Sequence, residues 1–89
     1  MYFATKIKMK HGCYNSNDLT EIDQVYINGS GWCDKSYLHD YLKSHPHTIK
    51  VNYHPYPYLI PRLSSHYEKY VCSEANYTTK DNLLSLPRV

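Results

Sequence analysis

The sequence predicts one α+β domain spanning residues 1–89: a small antiparallel sheet of three or four strands, one helix packed on one face, and a docked C-terminal tail. Three observations predict this class. Residues 2–9 alternate with the period of a strand, residues 34–44 carry apolar side chains at helical spacing, and three leucines cluster near the end of the chain. A chain this short supports one modest core, because it buries only about 60–65% of its unfolded surface.

The first predicted strand, residues 2–9, has one apolar and one basic face, because side chains alternate along a strand. Phe3, Thr5, Ile7 and Met9 point to one face, and Lys6, Lys8 and Lys10 point to the other. The apolar face is expected to pack on the core.

A second strand is predicted over residues 19–27. Its apolar anchors are Ile22, Val25 and Ile27, and antiparallel pairing with the first strand is the simplest arrangement. The sequence NGSG at residues 28–31 follows and is a strong turn signal.

A helix is predicted over residues 34–44. Asp34 is placed to cap the free N–H groups of the first turn. Pro46 ends the helix, because the residue before a proline disfavours helical geometry. One apolar stripe follows from the spacing of Tyr37, Leu38, Tyr41 and Leu42.

The second half of the chain contains two further predicted strands. Residues 49–53 alternate again, and residues 67–72 form a strand with Val71 facing inward. Between them, residues 54–61 contain three prolines, which remove hydrogen-bond donors and exclude a central strand. An extended, polyproline-like loop is expected there.

The chain ends in a loop-like tail from Asn76 that contains the sequence DNLLSLP at residues 81–87. Burial of a leucine side chain contributes about 1.5–3 kcal/mol, so three closely spaced leucines favour docking on the core. Asp81 and Asn82 are expected to set a turn by bonding to nearby backbone groups.

Tyrosine dominates the aromatic residues, with eleven copies against one tryptophan and one phenylalanine. So many tyrosines exceed what a small core holds, and several are therefore expected on the surface. Tyrosine favours interfaces, which indicates an adhesive surface. Biased codon usage in an AT-rich genome explains the same composition, and both interpretations stay open.

The charge and the cysteine content indicate the cellular compartment of the protein and the class of partner that it binds. The net charge of +2 is too small to indicate nucleic acid by itself. No stretch approaches the roughly 20 apolar residues of a membrane span, and the first residues lack the plan of a signal peptide. Cys13, Cys33 and Cys72 form no disulfide framework. These features predict a cytoplasmic protein without a membrane segment.

The C-terminal part combines YVCSEAN at residues 70–76 with DNLLSLPR at residues 81–88. This resembles the signature Y-[LV]-R-[ST] … D-N-L-x-x-L-P of a family of small bacterial and phage proteins that is defined as a domain of unknown function. The N-terminal half is loosely similar, with a TKI-type opening strand and a tryptophan before a helix. Cys72 stands where the family usually has arginine, and Tyr77 where a turn glycine is common. The resemblance implies a fold more than a function, and an activity carried by that arginine would be missing here.

No catalytic centre, cofactor site or metal site is predicted. Cys13 with His11, and Cys33 with His39, are thiol–imidazole combinations, but nothing supplies a third orienting group or an oxyanion site. The close spacings of histidine and cysteine lack the matching second pair that structural zinc needs. We therefore expect a binding protein rather than an enzyme.

The leading hypothesis is a binding or inhibitory module that acts on a protein partner. The contact candidates lie in and beside the proline-rich segment: Tyr53, Tyr56, Tyr58 and Arg62. Prolines restrict this segment, so little backbone entropy is lost on binding. The competing interpretation is a loop folded over the core with its tyrosines as a lid. The small size and phage-like resemblance suit a mobile-element accessory protein that blocks a host defence complex.

The alternative hypothesis is binding of nucleic acid or a nucleotide by Lys6, Lys8 and Lys10 together with stacked tyrosines. A solvated strand face, or an edge strand protected by lysines, explains the same stripe. An exposed sheet edge also makes a homodimer a further hypothesis.

Overall fold

The computed structural model describes residues 1–75 and 80–89. Within these ranges the chain forms six strands, one α-helix and two short 3₁₀-helices. In chain order they are β1 (Tyr2–Met9), a 3₁₀-helix (Leu19–Glu21), β2 (Ile22–Ile27), β3 (Gly31–Asp34), α1 (Lys35–Ser44), β4 (Ile49–Val51), β5 (Leu59–Leu63), β6 (Lys69–Ser73) and a C-terminal 3₁₀-helix (Asn82–Ser85). The start of the predicted tail, residues 76–79 with Tyr77, lies outside the described residues.

The predicted α+β class is confirmed, with a four-stranded sheet in the order β3-β2-β1-β4. β1 pairs antiparallel with β2, but it pairs in parallel with β4, so the prediction of a purely antiparallel sheet is wrong. The reason is α1, which lies between β3 and β4 in the chain. A helical crossover carries the chain back across the sheet, and the next strand then runs in the original direction.

A separate two-stranded sheet is formed by β5 and β6, which run antiparallel. The fourth predicted strand therefore exists, with Val71 buried, but it lies outside the first sheet. Residues 59–61 were expected in the polyproline-like loop and instead belong to β5, with Pro61 opposite Val71. Each strand of a two-stranded sheet has one free edge, and proline is tolerated at such an edge.

The faces of β1 change at a bulge. The register with β2 shifts between Ala4 and Lys6, so that Thr5 is an extra residue. Ala4 and Ile7 consequently both face the core, fully buried, whereas Phe3 is half-buried. The predicted inward position of Phe3 is wrong, because one extra residue inverts the alternation on its N-terminal side.

β2 and β3 form a hairpin around the predicted turn. Ile22, Val25 and Ile27 are buried, as the sequence predicts. β3 was not predicted, because its four residues GWCD lack an alternating apolar pattern. Gly29 in the turn has a φ of 94°, a left-handed value that favours glycine.

α1 covers almost the whole predicted range, but its buried face is rotated relative to the predicted apolar stripe. The buried residues recur at i, i+3, i+4 and i+7: Lys35, Leu38, His39 and Leu42. Tyr37 is exposed and Tyr41 half-buried. Asp34 precedes the helix without a side-chain capping bond and accepts instead from Gln24 Nε2 at 2.8 Å. No helix in the described part of the chain is long and apolar enough to cross a membrane.

The two buried polar residues of α1 are tolerated because their polar atoms have partners. Lys35 Nζ donates to Glu68 and to the carbonyl of Thr20, and His39 Nδ1 lies 3.2 Å from the carbonyl oxygen of Tyr70. Glu68 also pairs with Lys10 at 3.1 Å. The hydrogen bonds from Lys35 and Lys10 lower the pKa of Glu68, which keeps this carboxylate charged.

The core lies between the four-stranded sheet on one side and α1, β5, β6 and the C-terminal 3₁₀-helix on the other. The predicted docking of the tail is confirmed, since Leu83, Leu84 and Leu86 are all buried. The last residues also extend the sheet at β1. The Ile7 N–H donates to the Pro87 carbonyl at 2.9 Å, and the Val89 N–H donates to the Ile7 carbonyl at 3.0 Å.

Candidate functional site

The outer face of the four-stranded sheet, opposite the core, carries aromatic and basic side chains. Tyr26 and Lys50 each lie between two buried residues of their strands, so they point outward. Residues opposite each other in adjacent strands share a face. The register places both Lys6 and Trp32 opposite Tyr26, which brings all three onto the outer face.

Lysine ammonium groups lie over aromatic rings on this face. The three pairs are Lys6 over Tyr26 at 4.7 Å, Lys8 over Trp32 at 5.3 Å, and Lys50 over Tyr58 at 5.2 Å, each measured from Nζ to the ring centroid. The rings of Tyr26 and Trp32 also meet edge to face, with centroids 5.3 Å apart. These six residues are called the lysine–aromatic face.

Three lysines, Lys6, Lys8 and Lys10, were predicted on one face of the first strand, and the structure brings two of them to the lysine–aromatic face. Lys6 and Lys8 join it, whereas Lys10 lies beyond the end of β1 and forms its ion pair with Glu68. The hydrogen bond to Glu68 raises the pKa of Lys10. Lys50 takes the third position, because parallel pairing places β4 beside β1.

The proline–tyrosine loop, residues 52–58, connects β4 to β5. Tyr53 and Tyr56 are 46% and 47% exposed, whereas Tyr58 is half-buried beneath Lys50. Asn82 holds the loop in place, since its Nδ2 donates to the carbonyls of Tyr53 and His54 at 3.0 Å each. The loop therefore combines a fixed backbone with two outward-facing rings.

Arg62 lies on β5 rather than in the proline–tyrosine loop, and it faces Tyr70 of β6 in the strand register. Its guanidinium group contacts the thiol of Cys72, which raises the pKa of Arg62. Cys72 is buried, and burial raises its own pKa. Arg62 is thus placed on the second sheet, next to Cys72.

The two thiols weighed as nucleophiles are held in the protonated form. Cys13 Sγ donates to Glu21 at 3.1 Å, and this hydrogen bond raises the pKa of Cys13. Burial raises the pKa of Cys33, with a smaller contribution from Asp34. A nucleophilic cysteine needs the opposite shift. Within residues 1–75 and 80–89, no three side chains of histidine, cysteine, aspartate or glutamate converge to hold a metal ion.

A cleft of about 580 Å³ opens between β3 and α1. Four aromatic residues contribute to its lining, Tyr2, Trp32, Tyr37 and Tyr41, and the ring of Trp32 belongs to the lysine–aromatic face. Asp34 lies in the same wall, at the junction of strand and helix. Sequence reasoning missed this cleft because β3 was not predicted, and without β3 nothing places Trp32 beside α1.

Comparison with known proteins finds no relative of this chain. No protein-family model, no curated protein and no solved structure matches this chain. The resemblance to the small bacterial and phage family therefore stays a prediction from residues 70–88.

Proposed function

We propose that the chain binds single-stranded nucleic acid on the lysine–aromatic face. The observation that carries this proposal is the pairing of three lysines on the outer face of one sheet with three aromatic rings, two of them on that sheet and the third, Tyr58, on the segment bridged to β4. Binders of single strands combine a basic surface that follows the backbone with aromatic rings on which bases stack. Both components are side by side here.

The free protein keeps each ring covered by a lysine, and this arrangement suits exchange with a ligand. A cation–π contact at an exposed site contributes only about 0.5–1 kcal/mol. Stacking of a base on an aromatic side chain contributes about 1–3 kcal/mol. When a strand binds, each ammonium group moves from ring to phosphate and a base takes the ring face. Such binding tolerates many sequences, because every base has a π-face.

Removal of Lys6 and Lys8 is expected to weaken binding and to flatten its salt dependence. Each phosphate contact to a single strand contributes about −0.7 to the slope of log K against log salt, so Lys6→Ala/Lys8→Ala lowers the slope by about 1.4. Fluorescence anisotropy of a labelled oligo(dT) across a salt series measures this. The matched control, Lys43→Ala/Arg62→Ala, removes two positive charges from exposed positions elsewhere.

The contribution of the rings is tested in the same assay with Tyr26→Leu against Tyr67→Leu, which is 81% exposed and lies outside the face. Loss of stacking lowers affinity about 5-fold or more for Tyr26→Leu alone. Equal weakening by the face variants and their controls, or a slope that does not change, would contradict the proposal. Net charge alone would then explain any binding.

A second candidate function is recognition of a protein partner by the proline–tyrosine loop. It is favoured by the exposed rings of Tyr53 and Tyr56 on a backbone that Asn82 already holds. Preorganised aromatic side chains are typical of interface hot spots. An inhibitory accessory protein of a mobile element would use such a surface to block a host complex.

Capture from a nuclease-treated host lysate tests this second candidate. We expect a partner to be retained by the wild type and lost with Tyr53→Ala/Tyr56→Ala. Tyr14→Ala/Tyr67→Ala is the matched control, because both tyrosines are exposed and lie on other loops. A partner that disappears on nuclease treatment would instead support the lysine–aromatic face.

A further inference from the structure

Phe3, the single phenylalanine of the chain, lies on the outer face of the four-stranded sheet. Its neighbour Ala4 is fully buried in the core, and side chains alternate along a strand, so the Phe3 ring points to the opposite side. The strand register supports this placement, because the β4 partner of Phe3 is Lys50, which lies on the outer face. The Phe3 side chain is half-buried there, so part of its ring remains accessible.

The bulge at Thr5 is what directs Phe3 to this face. Without the extra residue, Phe3 would share the inner face with Ile7, as the period of the strand predicts. Instead the small side chain of Ala4 occupies the core position, and the larger apolar ring is placed on the outer face. Bulges are frequent next to functional sites, where they redirect a side chain. The position of Phe3 therefore indicates a role on the outer face rather than in the core.

Phe3 lies between the rings of β2 and β3 and the ring of Tyr58. On the β2 side, the Asn28 N–H donates to the Phe3 carbonyl at 2.9 Å, so Tyr26 is a diagonal neighbour of Phe3. Diagonal neighbours in a sheet are about 7–8 Å apart. On the β4 side, Tyr58 is two strand spacings away, because Lys50, the partner of Phe3, forms a bridge with Tyr58. Adjacent strands are about 4.8 Å apart, so this second separation is about 10 Å.

Phe3 makes the rings of this face a continuous row. Tyr26 and Tyr58 are three strand spacings apart, about 14 Å, which is more than one nucleotide of an extended strand spans. With Phe3 between them, successive rings are close enough for successive bases. Tyr26 and Trp32 meet edge to face with centroids only 5.3 Å apart, too close for two flat bases side by side, so this pair offers one stacking position. The row thus has three positions: the Trp32–Tyr26 pair, Phe3 and Tyr58.

The charge around Phe3 suits the backbone of such a strand. Lys6 of the same strand and Lys50 of the neighbouring strand lie on the same face as Phe3, where they can bind phosphates on either side of a base. Within residues 1–75 and 80–89, no lysine ammonium group lies over the Phe3 ring, so a base stacks there without displacing a cation. Asp34, an acidic residue of this face, lies two residues beyond Trp32 on the edge strand, at the end of the row.

From these observations we propose that Phe3 is the middle stacking residue of a site for three consecutive nucleotides of a single strand, which crosses the sheet from Trp32 to Tyr58. This inference rests on the proposed function of the lysine–aromatic face and adds the length and the path of its ligand. The central base stacks on Phe3, one outer base on the Trp32–Tyr26 pair, and the other outer base on Tyr58.

A labelled thymidine trinucleotide tests the role of Phe3, with binding followed by fluorescence anisotropy at low salt. We expect Phe3→Leu to weaken binding about 5-fold or more through loss of stacking, and Phe3→Tyr, which keeps a ring, to bind within about 2-fold of the wild type. This rescue by tyrosine separates stacking from a general effect on the fold. Tyr2→Leu is the matched control, because Tyr2 is the adjacent aromatic residue, is 43% exposed and points to the other face. It should leave binding unchanged.

Trinucleotides that lack one base locate the stacking position. With an abasic central position, Phe3→Leu should cause no further loss of affinity, whereas with an abasic end position it should still weaken binding about 5-fold. Equal sensitivity of all trinucleotides, or wild-type affinity in Phe3→Leu, would overturn this inference while the salt dependence of Lys6→Ala/Lys8→Ala still supports the lysine–aromatic face. A wild type that binds longer oligo(dT) but not the trinucleotide would also overturn it. A wild type that binds no oligonucleotide would refute the proposed function and this inference together.

Discussion

Leu83→Ala is expected to lower the free energy of unfolding by about 2–5 kcal/mol, the cost of cutting a fully buried leucine back to alanine. Leu83 has no exposed surface and belongs to the cluster that also holds Ile7 and Val25 of the sheet. Domains of this kind have total stabilities of about 5–15 kcal/mol. Leu83→Ala should therefore be only marginally stable.

Urea denaturation followed by far-UV circular dichroism measures the effect of Leu83→Ala. The matched control is Leu63→Ala, since Leu63 is 51% exposed at the end of β5. Its change should stay within about 0.5 kcal/mol. Similar losses in the two variants would show that the tail does not dock as described.

Asn82→Ala is expected to destabilise the protein by about 2–4 kcal/mol, because it removes donors from two backbone carbonyls. Asn82 is fully buried, and its amide joins the tail to the proline–tyrosine loop through Tyr53 and His54. Asn82→Asp keeps the size but sets a carboxylate against the same carbonyl oxygens. Asn82→Asp should lower the free energy of unfolding at least as much as Asn82→Ala.

Hydrogen exchange at the loop separates this anchoring role from general packing. The Tyr56 N–H, which donates to the Tyr53 carbonyl at 2.8 Å, should exchange faster in Asn82→Ala than the loss of global stability explains. Asn52→Ala, at an exposed position in the same loop, is the control and should leave exchange and stability unchanged. A loop that stays protected in Asn82→Ala would argue against anchoring by this amide.

The sequence predicts the orientation of two of the six residues of the lysine–aromatic face. The alternation of β1 predicts that Lys6 and Lys8 share a solvent-facing side, and they do. Their ring partners, Tyr26 and Trp32, come from two other strands, and the hairpin register alone decides which ring meets which lysine. Lys50 joins because β4 runs parallel to β1, a pairing that local patterns do not encode.

The sequence by itself determined the local elements: the strand period of residues 2–9, the helix and its end before Pro46, and the leucine-rich tail that docks. These follow from side-chain periodicity and from the fixed geometry of proline, which act within a few residues.

The tertiary structure decided which faces are buried and which distant residues meet. The bulge at Thr5 inverts the faces of β1 on its N-terminal side, where Ala4 is buried in place of Phe3. Lys35 and His39 enter the core because Glu68 and Tyr70, far along the chain, satisfy their polar atoms. Burial of a polar group is favourable only when such a partner is present. Its presence depends on contacts across the whole fold, which no local pattern contains.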